Sequence, residues 1–378
     1  MSQPYSRMSV LLVEDDPDAL VQLVRDLPAV FSSHSIEAEI DPCGSFDDAF
    51  ARTSNPLYRY DMVVSDTYKD PRRDLNAAVL QIVRCYRGVR FCPLVIYSSA
   101  VKPPDLQEGA FLVWADKGKS GDIERAMKKL LDTHVPQLAR QLHEELEKST
   151  GSYLWDFLEE KWDQLNSPAL LEPSVLERMV RGRAAIQIGH IDPASGTAGL
   201  AKRHAPEYYV YPAFVQAHFS LGDILRSKED NTDWRVILTP HCHLHKQPDQ
   251  EKPRADHVLL AKAVKAEVVL GDGLDSAKAN EGPKQKKILG RWAQSPARTE
   301  RPPEGRHWYL PGFLDIPHSF CDFLQVESVS YEKVVTDFER VATLMPPYAE
   351  ALQSCFVGFY ASVGIPNLQT ESIESLLT

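Results

Sequence analysis

The alternation of short apolar runs with amphipathic stretches over residues 8–133 constrains the fold more than any other feature of the sequence. This pattern is typical of a parallel sheet whose strands are joined by crossover helices. The predicted strands are residues 10–13, 36–40, 62–65, 94–97 and 111–114. The predicted helices are residues 17–27, which open with a proline, and residues 76–86 and 123–131, where apolar residues recur at three-and-four spacing. We therefore predict an α/β domain with a doubly wound, five-stranded parallel sheet that binds ligands at its carboxyl edge.

The length and composition of the chain limit the classes of protein to consider. A chain of 378 residues has room for two or three domains, and 43% hydrophobic with 25% charged residues excludes a disordered or membrane-spanning protein. The net charge of -11 argues against binding of nucleic acid by the whole surface. The six cysteines occur singly, so neither a disulfide framework nor a four-cysteine zinc site is expected. The first apolar run is too short for a signal peptide, and we expect a cytoplasmic protein without a membrane partner.

The rest of the chain is predicted to form a linker and a second domain. Residues 135–170, rich in Leu, Glu, Gln and Lys and interrupted by Gly151, are predicted to be a linker of one or two helices after a domain of residues 1–134. Four aromatic side chains of the linker are expected to pack against a domain: Tyr153, Trp155, Phe157 and Trp162.

Residues 171–378 are predicted to be a mainly β (α+β) domain with C-terminal helices. Its predicted strands are the β-prone runs 208–210, 234–238, 257–260 and 267–270, and residues 331–344 and 349–363 are predicted to be amphipathic helices. Residues 271–305 include a run rich in Pro, Lys and Ala, and they are predicted to be a long loop or partly helical insertion. The basic run of residues 278–306 is predicted to be an exposed loop, and the alternative is a nucleic-acid contact, with Trp292 stacking on a base.

Polar side chains gather where the predicted strands of the first domain end. Carboxylates follow the first and third strands, hydroxyls end the fourth, and a lysine follows the fifth: Glu14, Asp15, Asp16 and Asp66, then Ser98 and Ser99, then Lys117. Clustered carboxylates repel each other unless they bind a hard cation such as Mg²⁺ or keep protons at raised pKa values. Asp16 is expected to cap the following helix instead of acting as a third ligand of the cation. The arrangement predicts a site for phosphoryl transfer.

The runs SVLLVEDDP, DMVVSD, PLVIYSSA and WADKGK resemble, in order and spacing, the motifs of the response-regulator receiver family. The resemblance implies that Asp66 accepts a phosphoryl group from a sensor histidine kinase or a phosphotransfer protein. It also implies that Glu14 and Asp15 are the metal-binding acidic pair and that Asp66 and the backbone carbonyl of Tyr68 complete the Mg²⁺ site.

Two further residues match family positions with a role in phosphorylation. Lys117 matches the lysine that contacts the phosphoryl group, and Ser99 matches the switch hydroxyl. The chain departs from the family pattern at Gly118, where receivers usually carry proline, and in the run TYKDPRRD after the third strand. One alternative stays open for this domain, a receiver fold that binds a metal or a protein without accepting phosphate.

The second domain carries a weaker resemblance and a cluster of histidines. The region around residues 220–245 distantly resembles small SH3-like barrels of the PemK and MazF toxin type. The cluster consists of His241, Cys242, His243 and His245. We expect an extended turn with Cys242 buried and the histidines exposed, and no structural zinc, because alternation along a strand scatters the side chains. Zinc binding and a cysteine nucleophile are the alternatives.

Together these features imply a two-component, response regulator-like protein in which Mg²⁺-dependent phosphorylation of Asp66 controls an unusual C-terminal domain. One alternative is a receiver-derived adaptor or phosphate sink in a defence or stress system, whose second domain binds a protein. Another is a toxin-like nucleic-acid effector held in check by the receiver. A homodimer stays open, and no motif of a separate catalytic domain is present.

Overall fold

The structure is a computed structural model in which the chain divides into two compact units, residues 1–198 and 199–378. The residues that it describes are 7–55, 58–67, 80–84, 86–87, 91–165, 173–189, 204–213, 218–246, 253–279, 282–285 and 305–361. The predicted domain limits of 1–134, 135–170 and 171–378 stay a prediction.

A five-stranded parallel sheet forms the centre of the first unit. Its strands are β1 (Arg7–Val13), β2 (Glu37–Cys43), β3 (Met62–Ser65), β4 (Leu94–Ser98) and β5 (Leu112–Asp116). They stand in the order β2-β1-β3-β4-β5, with every neighbouring pair parallel. This is the flavodoxin-like order, whose switch point between β1 and β3 opens a crevice at the carboxyl edge. The predicted fold class of the first domain is confirmed.

The apolar runs form strands because both faces of the sheet are covered. Along β1, Val10 and Leu12 are buried in a core on one face, whereas Leu11 and Val13 are buried in a second core on the other face. Strand β3 is buried at each of its positions. The two cores, one on each face of the sheet, therefore hold its carboxyl edge in place.

Helices flank the sheet of the first unit. They are α1 (Pro17–Ser32), α2 (Phe46–Ser54) and α3 (Asp122–Leu131), and residues 80–84 and 86–87 are also helical. The predicted helix over residues 76–86 lies partly outside the described residues. The side chain of Asp16 accepts hydrogen bonds from the backbone N–H groups of Asp18 and Ala19, so the predicted helix cap is confirmed.

The predicted linker is helical over its described part. It consists of α4 (Val135–Ser152), a π-helical segment (Tyr153–Glu159) and α5 (Glu160–Leu165), and it is followed by α6 (Pro173–Gly189). Gly151 lies inside α4 and does not interrupt it. The helix widens into π-helical geometry directly after Ser152 instead of ending.

The predicted packing of the linker aromatics against a domain is wrong for the first unit. The side chains of Trp155 and Trp162 are 69% and 44% exposed, and Leu158 is the buried residue of the segment. The rings of Tyr153 and Phe157 stack on each other with centroids 5.1 Å apart. Because the helix continues through this region, residues four apart meet along its own surface.

A seven-stranded antiparallel sheet dominates the second unit, which confirms the predicted mainly β domain. The strands are β6 (Tyr209–Val210), β7 (Asp223–Ser227), β8 (Trp234–Ile237), β9 (His257–Lys265), β10 (His307–Leu310), β11 (Ser319–Ser330) and β12 (Phe338–Leu344). Their order is β10-β11-β9-β8-β7-β12-β6. An irregularity between Asp322 and Val326 shifts the register of β11 against β9.

Two predicted elements of the second unit are wrong. The helices are α7 (His241–Leu244), α8 (Ala266–Leu270), α9 (Asp272–Ala279), α10 (Tyr331–Asp337) and α11 (Tyr348–Ala361). Residues 267–270 form helix α8 and not a strand, because Ala266 and Val269, three apart, are buried with Phe320. Residues 331–344 form α10 followed by β12, where alternation buries Ala342 and Leu344. The described part of the last predicted helix is confirmed as α11.

Within the described ranges, the chain contains no helix with the length and apolar character that crossing a membrane requires.

Candidate functional site

Three site residues lie one position beyond a strand of the parallel sheet, and backbone hydrogen bonds fix each of them. The N–H of Glu14 donates to the carbonyl of the last residue of β2 at 3.0 Å. The N–H of Asp66 donates to the last residue of β1 at 2.9 Å, and that of Lys117 to the last residue of β4 at 3.0 Å. The sheet therefore positions these side chains at its carboxyl edge, beside the switch point.

The acidic residues at this edge form a compact cluster. Carboxylate oxygens of Glu14, Asp15 and Asp66 all lie within 4.8 Å of one another. Glu14 and Asp66 are buried, with 1% and 2% of their surface exposed, whereas Asp15 is exposed. Carboxylate oxygens are the ligands that hard cations such as Mg²⁺ prefer, and the exposed Asp15 gives solvent access to the cluster. The residues present therefore fit a magnesium site.

One cation, Lys117, stands against this cluster. Its Nζ donates to Glu14 Oε2 at 2.6 Å and to Asp66 Oδ2 at 2.6 Å. Burial by itself would lower the pKa of Lys117, but the hydrogen bonds to Asp66 and Glu14 raise it above the usual value, so the amine stays protonated. Among the residues that the structure describes, a single ammonium group faces these three carboxylates, so this part of the site has an excess of negative charge.

Burial raises the pKa of Glu14 above its usual value. The hydrogen bond from Lys117 opposes this rise, and the neighbouring charge of Asp66 adds to it. The folded chain therefore spends free energy to keep Glu14 ionised in this place. A bound cation would remove that cost, which is a second reason to regard the cluster as a cation site.

The other oxygen of the Asp66 carboxylate contacts a pair of buried hydroxyls. Asp66 Oδ1 accepts a hydrogen bond from the backbone N–H of Thr67 at 2.6 Å and a second from Thr67 Oγ1 at 3.3 Å. Thr67 Oγ1 lies 2.6 Å from Ser98 Oγ, which also accepts from the N–H of Ala100 at 3.2 Å. Sequence reasoning missed Thr67, although its place directly after Asp66 at a strand end was a usable signal.

The structure brings together four of the predicted residues, Glu14, Asp15, Asp66 and Lys117. Ser99 is exposed, whereas the neighbouring Ser98 is fully buried and is joined to Asp66 through Thr67. The role of Ser99 stays a prediction, and the described contacts favour Ser98 for the hydroxyl. Tyr68 lies outside the described residues, and so do residues 68–74 of the run that departs from the family pattern.

The histidine cluster of the second unit lies on a helical turn and not on an extended strand. His241, Cys242, His243 and Leu244 form α7, and the buried member of this turn is Leu244. The prediction of a buried Cys242 is wrong, because this thiol is exposed. The proposed strand alternation therefore cannot be the reason for any absence of zinc.

The basic run of residues 278–306 lies mostly outside the described residues. Lys278 and Lys284 are exposed. Arg306, counted as part of the exposed run, instead forms two hydrogen bonds with the buried carboxylate of Asp322, at 2.7 and 2.5 Å. Arg306 is therefore paired within the second unit, and one cation fewer of the basic run is available to contact a ligand.

Comparisons with known proteins find similar solved structures but do not assign the chain to a family. No protein-family model matches the chain, and no curated protein matches it. The chain is similar to the receiver domain of the hybrid histidine kinase CckA, with 19% identity over 32% of this chain and 98% of that one and a TM-score of 0.22. It is also similar to the N-terminal domain of a response regulator/sensory box/GGDEF 3-domain protein from Carboxydothermus hydrogenoformans, with 15% identity over 36% of this chain and 96% of that one and a TM-score of 0.23.

These TM-scores are low, so the fold assignment rests on the strand order and register of the sheet. The resemblance of the second domain to the PemK and MazF toxins finds no support among the comparisons.

Proposed function

We propose that the first unit is a receiver that accepts a phosphoryl group on Asp66 in a Mg²⁺-dependent reaction. The proposal is carried by Lys117, whose Nζ bridges Glu14 and Asp66 at 2.6 Å each at the carboxyl edge of the sheet. A nucleophilic carboxylate, a cation-binding acidic pair and a phosphate-contacting ammonium group are the parts that phosphoryl transfer requires.

The side chains divide the chemistry among themselves. A carboxylate oxygen of Asp66 attacks the phosphorus atom, the bond from phosphorus to the donor atom breaks, and the donor keeps the bonding electrons. Lys117 binds a phosphoryl oxygen and stabilises the charge that builds up there. Glu14, Asp15 and Asp66 would hold Mg²⁺, which supplies further charge neutralisation when bound. The burial of Asp66 limits the access of water to the reacting atoms.

The partner that donates the phosphoryl group is proposed to be a sensor histidine kinase or a phosphotransfer protein, with the carbonyl of Tyr68 completing the metal site. We propose a cytoplasmic setting for this exchange. These assignments follow the motif resemblance together with the geometry around Asp66 and Lys117.

The second unit is proposed to be the part that phosphorylation regulates, through binding of another protein. The nucleic-acid alternative is weakened by Arg306, because its guanidinium is committed to Asp322. An adaptor or phosphate sink would show the same chemistry at Asp66 and would differ only in what the second unit contacts.

Acetyl phosphate with Mg²⁺ tests the proposal directly. We expect intact-mass analysis of the full chain to show one phosphoryl adduct, which disappears in Asp66→Ala and when a chelator removes the metal. Asp26→Ala, which removes a carboxylate exposed on α1, serves as the control and should be modified like the wild type. An adduct of equal size in Asp66→Ala would contradict the assignment. If the wild type forms no phosphoryl adduct under conditions that modify a known receiver, the proposed function is contradicted.

A further inference from the structure

In the hydrogen bond between the hydroxyls of Thr67 and Ser98, either oxygen could be the donor, and the number of available protons decides between the two directions. Each hydroxyl has one proton to donate and oxygen lone pairs that can accept. If Ser98 donates to Thr67 Oγ1, then Thr67 is free to donate its proton to Asp66 Oδ1, and Ala100 N–H donates to Ser98 Oγ. In the reverse direction, the proton of Thr67 goes to Ser98 and leaves Asp66 without it.

Burial favours the first direction. Thr67 and Ser98 have 1% and 0% of their surface exposed, so a hydroxyl proton without an acceptor here would be costly. The first direction uses both protons and gives the carboxylate of Asp66 the donor that its charge attracts. The contacts therefore form a relay from the end of β4 through Ser98 and Thr67 to Asp66 Oδ1.

The relay holds one oxygen of Asp66 and thereby orients the other. Oδ1 is held by the N–H and the hydroxyl of Thr67, and Oδ2 faces Lys117 and Glu14. A carboxylate that lost the hydroxyl contact would rotate more freely about its bond to Cβ. Misorientation of a reacting group lowers the rate of reaction without removing the group itself.

We propose that Thr67 is a positioning residue for phosphorylation, and that its hydroxyl, oriented by Ser98, fixes the rotation of the Asp66 carboxylate. This inference rests on the proposed function, since it concerns the same reaction. It assigns a task to the hydroxyl of Thr67, a side chain outside the motifs that carry the resemblance.

The test compares variants of the full chain in their rate of phosphorylation by acetyl phosphate with Mg²⁺. Thr67→Val removes the hydroxyl and keeps the shape of the side chain, and we expect the rate at saturating donor to fall roughly tenfold. The donor concentration at half-maximal rate should stay unchanged, because Lys117 and the acidic cluster are intact. Thr67→Ser should restore most of the rate.

Thr53→Val is the matched control, because the hydroxyl of Thr53 donates only to backbone carbonyls of its own helix α2. Ser98→Ala removes the orienting partner from the other side and should cause a smaller loss in the same direction. The double variant Thr67→Val/Ser98→Ala should be no slower than Thr67→Val, since both changes break one relay. Ser98→Ala keeps the test decisive if Thr67→Val does not fold.

The outcomes separate the inference from the function on which it rests. If the wild type reacts, and Thr67→Val and Ser98→Ala both react as fast as the wild type, the relay is overturned and the proposed function stands. A loss in Thr67→Val that Thr67→Ser does not restore would also overturn it. A wild type that does not react at all would overturn both.

Discussion

Buried carboxylates in the two units differ in how many donors offset their charge. In the second unit, Asp322 accepts from both sides of the guanidinium of Arg306 and from two further N–H groups, those of Leu324 and Gln325. In the described part of the first unit, one ammonium group faces three carboxylates.

The pKa values follow this difference. Burial raises the pKa of Glu14, and the contacts with Lys117 do not cancel that rise. Burial acts in the same direction on Asp322, but the hydrogen bonds from Arg306 and its neighbours overcome it and lower the pKa to about 2. A balanced buried pair is a structural element, whereas an unbalanced cluster at a sheet edge is a candidate for binding a charged ligand.

Asp223 shows that pairing alone does not set the direction of a pKa. Its carboxylate accepts from Arg340, Thr343 and the N–H of Ser220. Burial nevertheless raises its pKa above the usual value. The direction of each pKa shift therefore depends on the balance between burial and the supply of donors, and the donors outweigh burial at Asp322 but not at Asp223 or Glu14.

The largest effect is expected from breaking the balanced pair of the second unit. Arg306→Met leaves the carboxylate of Asp322 buried without its cation, and we expect the second unit to lose about 3 kcal/mol of unfolding free energy. Hydrogen exchange in β9 and β11 would measure this loss within the full chain. The exposed Arg254 provides the control, since Arg254→Met should change the free energy by under about 1 kcal/mol.

The same pair can be tested by a double variant. Arg306→Met/Asp322→Asn removes the unpaired charge, so it should be less destabilised than Arg306→Met alone. Losses that simply add in the double variant would show that Asp322 and Arg306 are not coupled, and the contrast between the units would fail on this side.

A smaller effect of opposite sign is expected at the unbalanced site. In a chelator at neutral pH, Glu14→Gln should stabilise the first unit by about 1 kcal/mol, because the folded state no longer keeps a buried carboxylate ionised. Glu37→Gln, at an exposed position of β2, should have no comparable effect. Destabilisation by Glu14→Gln would contradict the claim that the described residues of this site carry excess negative charge.

The two carboxylates also predict opposite dependences on pH. Because the pKa of Glu14 is raised in the folded state, its stabilising contribution is full below the unfolded value of 4.5 and is lost as pH rises through the folded pKa. The pKa of Asp322 is lowered, so its contribution is present above 3.8 and is lost as pH falls towards about 2. The measurement is the unfolding free energy of each unit as a function of pH. Loss of the first trend in Glu14→Gln and of the second in Asp322→Asn would confirm the assignments.

The sequence predicts the site best where strand ends define it. Glu14 and Asp66 directly follow predicted strands, Lys117 lies just beyond the predicted end of the fifth strand, and the parallel order then brings the three residues together. Which of two adjacent serines faces inward depends on the exact last residue of β4, because successive side chains of a strand point to opposite faces. The predicted switch hydroxyl is that of Ser99, one residue after Ser98, whose side chain is the buried one.

Contacts between residues far apart in sequence could not be predicted in the second unit. Arg306 lies in the basic run, and nothing local indicates that Asp322, on strand β11, pairs with it. The exposure of Cys242 depends on whether residues 241–244 form a helical turn or a strand, and a run this short carries no clear periodicity.

The most direct measurement is hydrogen exchange of the full chain in a chelator, in Mg²⁺, and in Mg²⁺ with beryllofluoride as a phosphoryl mimic. We predict that Mg²⁺ slows exchange in the segments that end at Glu14 and Asp66, and that the mimic extends protection to the ends of β4 and β5 near Lys117. The strands around Asp322 should not respond to Mg²⁺. Protection in residues 135–165 that changes with the mimic would support transmission through the linker. Exchange that is unchanged at Glu14 and Asp66, or that changes equally around Asp322, would contradict the assignment of a cation and phosphoryl site to the first unit.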